Sequence, residues 1–303
     1  MDTDIGSEMT DAATLCLAVI SPEIELLGIS TVTHDTVFRA SVAKRFLELL
    51  GKTNIPVSAG FGKDAEHIWE KEVVFSEGYV PAALDKKEGY QLILDLVNEN
   101  KNDIVLVGIG TTTNIAKAME VDPELPKKVS RLVLMGGMIN PPTVDGKQIP
   151  IGFEYNFCND NISAAKVIQA GFNLVIVPGD LTFNKNDPWT EEDLKELSEI
   201  KHPAIQLLLS LKDQNMIEVK KGMEKANLPL EFVKPWVNDE FVMSYLIRPD
   251  LFETEDVCIS WELPDKYPRI TIVESGYPIT LVQKTDFIKT RAFIVERLSS
   301  LKN

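Results

Sequence analysis

Histidine is nearly missing from this chain: His34, His67 and His202 are the only three in 303 residues. Acid–base chemistry must therefore lean on carboxylates, on a metal ion or on one of those imidazoles. Cysteine is as sparse. Cys16, Cys158 and Cys258 lie far apart in apolar surroundings, which excludes a disulfide framework and a zinc-ligand spacing and leads us to expect a reducing, cytoplasmic setting. No apolar run of about eighteen residues occurs, so no membrane span is expected. No basic stretch followed by an apolar core marks a secretory leader. Positive charge is in deficit, with 31 basic against 46 acidic residues and a net charge of −15. That disfavours nucleic acid and anionic membranes as partners, and leaves a small polar or uncharged substrate open. Repeats, low-complexity tracts and Pro/Gly/Ser linkers are also missing, so one domain over residues 1–303 is expected rather than two.

What is present is alternation. Apolar strands are expected at Ile24–Val32, Ile55–Ala59, Ile104–Ile109, Leu132–Met135 and Leu174–Val177. Helices are expected at Phe38–Leu50 with a stop at Gly51, at Gln91–Val97, at Thr113–Met119 and at Ile162–Ala170. Such a pattern predicts an α/β fold with a mostly parallel central sheet flanked by helices. Beyond Asp187 the pattern predicts helical insertions, Glu191–Leu211 and Asp213–Lys225. A helix at Asp239–Ile247, β-rich stretches at Val257–Trp261 and Ile270–Val273, and a closing helix at Thr285–Leu301 follow. Polar turns after the strands (Thr33-His34-Asp35, Gly110 to Asn114, Gly136-Gly137, Gly179-Asp180) fall where open α/β sheets form their ligand crevice.

The same edge receives the densest chemistry. Asp2, Asp4, Glu8, Thr10 and Asp11 crowd into the first eleven residues around Gly6, and the segment runs into a helix. Four carboxylates so close repel one another unless a positive charge sits among them. A hard divalent cation with oxygen ligands answers that need, and a helix N-terminus favours the acids as well. Asp4 should end a central strand, yet only three residues precede it; a buried strand needs about five. The chain as given either lacks its natural start or has a shortened first strand.

The opening Asp-x-Asp-x-Gly run resembles the signature of the inosine–uridine-preferring nucleoside hydrolases. Further stretches agree in order: Glu23–Val32, Thr113-Asn114-Ile115-Ala116, Val133-Leu134-Met135-Gly136-Gly137, Glu154-Tyr155-Asn156 and Val237-Asn238-Asp239. The resemblance implies cleavage of the N-glycosidic bond of ribonucleosides to ribose and free base, with Asp4 activating a calcium-bound water. It implies one Ca²⁺ held by Asp4, Asp11, Asp239 and the backbone carbonyl of Ile109. Glu154 and Asn156 would bind the ribose hydroxyls, joined by Glu8, Thr10, Asp35 and Asn238 as substrate contacts. It implies a nucleoside as small-molecule partner, nucleoside catabolism or salvage as the setting, and a homo-oligomer, dimer or tetramer. Transition states of oxocarbenium character call for carboxylates near the sugar ring.

The chain departs from that family at three places. Thr10-Asp11 stands where two adjacent aspartates are usual, with Glu8 as the replacement acid. His34-Asp35 stands where Gly-Asn is usual, and Asp35 is equally a helix N-cap. Asn238 stands where many members carry a histidine, and an asparagine amide cannot act as an acid near neutral pH. His34 is an even choice between pocket and structural roles; His67, Glu77 and Tyr79 fall where the family's mobile loops lie. His202 is expected to be solvated. Trp236 is the tryptophan expected nearest the base, and Asp180 is expected to support the site rather than to ligate. Two alternatives accompany this reading: a degenerate member that binds metal and ribosides with little turnover, and a haloacid-dehalogenase-type phosphatase.

Overall fold

In a computed structural model, residues 1–6, 8–62, 83–144, 146–184, 188–225, 230 and 233–301 are described. His67, Trp69, Glu77 and Tyr79 lie outside them. The strands are β1 (Asp2–Thr3), β2 (Ile29–Thr31), β3 (Val57–Ala59), β4 (Val105–Gly108), β5 (Arg131–Met135), β8 (Leu174–Val177), β9 (Phe252–Glu262), β10 (Arg269–Val273) and β11 (Tyr277–Thr285), with β6 (Thr143–Val144) and β7 (Lys147–Gln148) forming a separate hairpin. The nine form one sheet in the order β10-β9-β11-β8-β5-β4-β1-β2-β3. From β3 across to β11 every pairing is parallel; β9 and β10 extend the sheet antiparallel. The expected single α/β domain with a mostly parallel sheet is therefore what the chain forms.

Helices cover both faces: α1 (Met9–Ile20), α2 (Thr36–Leu49), α3 (Gly89–Glu99), α4 (Thr113–Val121), α5 (Leu125–Lys128), α6 (Tyr155–Asn159), α7 (Asn161–Ile168), α8 (Gly179–Thr182), α9 (Glu191–Glu199), α10 (Pro203–Lys225), α11 (Glu240–Ile247) and α12 (Phe287–Ser299). Two hydrophobic cores result, one on each side of the sheet. The helix α1 is buried from Met9 to Ala18 because it packs on α10, α11 and α12. Gly51 closes α2 in the left-handed conformation expected of it, at φ +69°.

Three expectations need correction. The strand read at Ile24–Val32 shrinks to Ile29–Thr31, because β1 pairs only through Asp2 and Thr3 and the neighbour on the other side begins after Pro56, which has no amide hydrogen. The helices read at Glu191–Leu211 and Asp213–Lys225 divide elsewhere. Pro203 cannot continue a helix and instead starts one, so α9 stops at Glu199 and α10 runs straight through Asp213. His202 is half-buried rather than solvated, its Nδ1 accepting from Ala204 N at 3.3 Å. The strand β11 escaped notice because Pro278 and the polar ends of the segment interrupt its apolar run. The three cysteines are free thiols.

The order of strands fixes where a site can form. The chain runs β1 to β2 to β3 on one side, then crosses back to place β4 on the other side of β1. The reversal between β1 and β4 opens a crevice at their carboxyl ends. Asp4 leaves β1 and Ile109 leaves β4 at that crevice.

Candidate active site

The acid turn is built first by local geometry. Gly6, at φ +114°, lets the chain turn sharply between β1 and α1. Asp4, Thr10 and Asp11 are all buried, Asp4 at 8% exposure; Glu8 is half-buried and starts α1. Gly110, at the start of the polar turn after β4, supplies a close backbone approach. A side chain there would press on Val32 at 2.7 Å and on the Asp4 amide at 2.9 Å.

Tertiary packing then closes the cluster. The helices α1 and α11 pack together, and their N-termini meet at the crevice. The Thr10 hydroxyl donates to Asp239 Oδ2 at 2.7 Å, across 229 residues of sequence. The Thr3 hydroxyl donates to Asp11 Oδ1. Burial, then Asp4, push the Asp11 carboxyl well above its ordinary range. Burial, then Asp11 and Glu8, do the same to Asp239. Glu8 is pushed up to about 7 by burial and by Asp4. These shifts report carboxylates that feel one another in a dry site.

Arg39 is the nearby buried cation, and residue type alone does not mark it. Its guanidinium donates to the backbone carbonyls of Thr33 at 2.8 Å, of Ile5 at 3.1 Å and of Asp4. It fixes the turns and lowers Asp11 only as a minor influence. A second brace joins the strands beneath. Asp2 Oδ1 accepts from Ser30 Oγ at 2.6 Å and from Asn114 Nδ2 at 2.8 Å, while Asn114 also donates to Thr31 O at 2.9 Å and accepts from Phe61 N at 2.8 Å. That is the structural use of the Thr113-Asn114-Ile115-Ala116 stretch.

The opposite wall comes from the segment after β5. Asn156 Nδ2 donates to the carbonyls of Ile109 and Met135, each at 3.1 Å. Glu154, 1% exposed, caps α6 by accepting from Phe157 N at 3.1 Å, and burial pushes its carboxyl up to about 7. Asp180 accepts from Ile139 N at 2.8 Å and from Asn140 N, holding the loop after β5. Asn238 is buried, its backbone N–H donating to Glu240 Oε2 at 3.0 Å, while its side-chain Oδ1 has no partner among the described residues. Trp236 stacks edge-on against Phe183 at 5.9 Å, beside Met138, Ile149 and Phe153. Asp35 accepts from Phe38 N at 2.9 Å and so serves as the N-cap of α2.

The structure thus brings Asp4, Glu8, Thr10, Asp11, Asp239, Ile109, Asn156 and Glu154 to one edge of the sheet. Among the described residues no three acidic, histidine or cysteine side chains stand in ligand geometry about a common point. The threonine hydroxyls take one oxygen each of Asp11 and Asp239. The donors nonetheless fit a hard cation: all are oxygen, and their negative charge exceeds what Arg39 offers.

The family model for inosine-uridine preferring nucleoside hydrolase matches residues 1–289. The chain is 28% identical to the inosine-uridine preferring nucleoside hydrolase of Leishmania major, covering 99% of this chain and 97% of that one. It is 28% identical to pyrimidine-specific ribonucleoside hydrolase RihA of Enterobacter sp. (strain 638), covering 92% and 88%. A solved purine-preferring ribonucleoside hydrolase from Gardnerella vaginalis shares the fold, with a TM-score of 0.82 at 19% identity over 99% of this chain and 97% of that one. Acid turn, strand order and whole-chain match agree: the chain belongs to the inosine-uridine preferring nucleoside hydrolase family, and with it to the N-glycosyl hydrolases.

Proposed function

We propose that the protein hydrolyses the N-glycosidic bond of ribonucleosides to ribose and free base, with Asp4 as general base. The observation that carries this reading is the meeting of Asp4, Glu8 and Asp11 with Asp239 at the crevice between β1 and β4. Asp4, Asp11, Asp239 and the Ile109 carbonyl would hold a Ca²⁺ ion. Asn156 uses one lone pair of that carbonyl and leaves the second. When bound, the cation supplies positive charge that orients sugar hydroxyls and offsets the crowded acids.

The chain's own groups do the rest. Asp4 takes the proton of the attacking water as its oxygen approaches C1′. Developing positive charge on the ribose is stabilised by the carboxylates around it. Glu154 and Asn156 grip ribose hydroxyls from the wall opposite the acid turn, and Glu8 and Thr10 serve the sugar where a second aspartate is usual. The Asn238 Oδ1 is an acceptor suited to a hydroxyl or N–H of the substrate. Trp236 and Phe183 offer an aromatic surface to the base.

The test is release of free ribose from inosine, uridine, cytidine and adenosine, with and without chelator. Chelator-sensitive ribose release is the expected result. Calcium binding without ribose release would instead support a binding protein with little turnover, the second reading that Thr10 and Asn238 favour. The whole-chain family match overrides the phosphatase alternative. Assembly as a homo-oligomer and a cytoplasmic setting complete the proposal; light scattering and cell fractionation test them. Among the described residues no helix is long and apolar enough to cross a membrane.

A further inference from the structure

Resting on the hydrolase reading above, we propose that Tyr155, held by His34, donates the proton that the leaving base takes up. The need is chemical. A base leaving with the electron pair of the glycosidic bond is a poor leaving group until it is protonated, and the Asn238 amide is too weakly acidic to transfer a proton.

The geometry supplies a donor. Tyr155 Oη and His34 Nε2 are 2.7 Å apart. His34 lies in the turn after β2, and Tyr155 opens α6, which the chain reaches from β5. In the sheet, β4 and β1 stand between β5 and β2. Three strand spacings, about 14 Å, separate the two elements. The Tyr155–His34 bond therefore arches over the ends of β4 and β1, which carry Ile109 and Asp4. Glu154 and Asn156, on either side of Tyr155, are buried, whereas Tyr155 is 42% exposed. The phenol thus stands on the solvent side of the acids, which are 8% exposed or less at Asp4, Asp11 and Asp239. A nucleoside seated with its ribose on the acids places its base at that outer level.

The backbone holds His34 in place. Thr33 and His34 are consecutive non-glycine residues in the left-handed region, at φ +73° and +53°. Such residues are strained and persist only when neighbours hold them. Arg39 Nε donates to Thr33 O at 2.8 Å, Thr33 N donates to Phe61 O at 3.1 Å, and the Thr33 and Thr111 hydroxyls share a hydrogen bond of 3.0 Å.

The step balances. The C1′–N bond breaks with its electron pair passing to the base. The Tyr155 hydroxyl proton moves to the base, and the His34 imidazolium returns a proton to Tyr155 through Nε2. Water adds its hydroxyl to C1′ and its second proton goes to Asp4. Solvent then returns a proton to the pair through the exposed Tyr155 hydroxyl and takes the proton from Asp4, so the sum is nucleoside plus water to ribose plus base. An imidazole ordinarily titrates near neutral pH, which suits it to this return. Tyr155 is the catalytic residue, and His34 positions and recharges it.

The experiment compares nucleosides with p-nitrophenyl β-D-ribofuranoside, whose nitrophenolate departs without a proton. Tyr155→Phe is expected to lower kcat on uridine and inosine by about 10²–10³-fold while lowering it on the nitrophenyl riboside by no more than about threefold. His34→Asn keeps a residue that tolerates left-handed backbone, and is expected to lose about tenfold on nucleosides alone. Equal losses on both substrate types, or no loss on nucleosides, would overturn the proposal while leaving the hydrolase reading intact. A wild-type protein inactive on every riboside would sink that reading, and this step with it.

Discussion

The two ends of the central strands differ in chemistry although the same segments build both. At the amino ends of β2 and β4 lies a cleft of about 440 Å³, lined chiefly by Leu26, Leu27, Leu92, Leu96, Ile104 and Leu246. At the carboxyl ends of β1, β4 and β5 stand Asp4, Asp11, Glu154, Asn156 and Asp239. The difference follows chain direction. At the carboxyl ends the backbone passes into helix N-termini, whose free N–H groups and positive dipole ends favour carboxylates. The amino ends offer no such donors, and side chains there pack for stability. The amino-end cleft is concave without carrying the acids, so concavity alone does not locate chemistry.

That contrast can be broken, and the largest effect should come at the carboxyl edge. Asp4→Asn is expected to cut turnover by about 10⁴-fold, since it removes the base, while thermal melting stays unchanged or rises because one buried acid is gone. Ribose-release kinetics and a melting curve check both halves; near-normal turnover would reject the assignment of Asp4. Asp239→Ala should weaken Ca²⁺ binding at least about a hundredfold, beyond the ten- to hundredfold typical of residues that only support a ligand. Calorimetry with Ca²⁺ reads this directly. At the other edge, Leu92→Ala should cost about 2–4 kcal/mol in a urea titration and leave kcat untouched. A kinetic defect there would show the two edges to be coupled.

The smallest effect sharpens the comparison through pH. Glu154 has an ordinary pKa of 4.5 and stands at about 7 in the fold because it is buried. Between those values the unfolded chain has lost the proton that the folded protein keeps. Stability is therefore fullest below pH 4.5 and falls as pH rises through 7. Glu154→Gln should remove about 3 kcal/mol of that fall between pH 4.5 and 8. Melting curves at several pH values test it, and identical slopes for both proteins would show that Glu154 is not the group responsible.

Much of this was legible before folding. Short apolar runs alternating with amphipathic stretches announced a parallel sheet, and the acid turn announced its own crowding, since both signals are local. Asp35 showed how a local signal divides: capping and binding ask for the same side chain, and only the contact with Phe38 N reveals the cap. The strand at Ile24–Val32 was overlong because an apolar run does not say how many partners its neighbours offer. Arg39 was invisible because its partners are backbone carbonyls just after β1 and after β2, and carbonyls leave no trace in residue type.

The sequence by itself determined which residues stand at strand ends, because hydrophobic periodicity and turn chemistry act over a few residues. It also placed Asp2, Asp4, Glu8 and Asp11 together, since they share one turn. Only the tertiary structure decided that Asp239 would meet Thr10, that Asn156 would reach the Ile109 carbonyl, and that His34 would span to Tyr155. Those meetings depend on the order of strands in the sheet and on the packing of α1 against α11. Both are outcomes of burying two faces of one sheet, a requirement that acts on the whole chain at once.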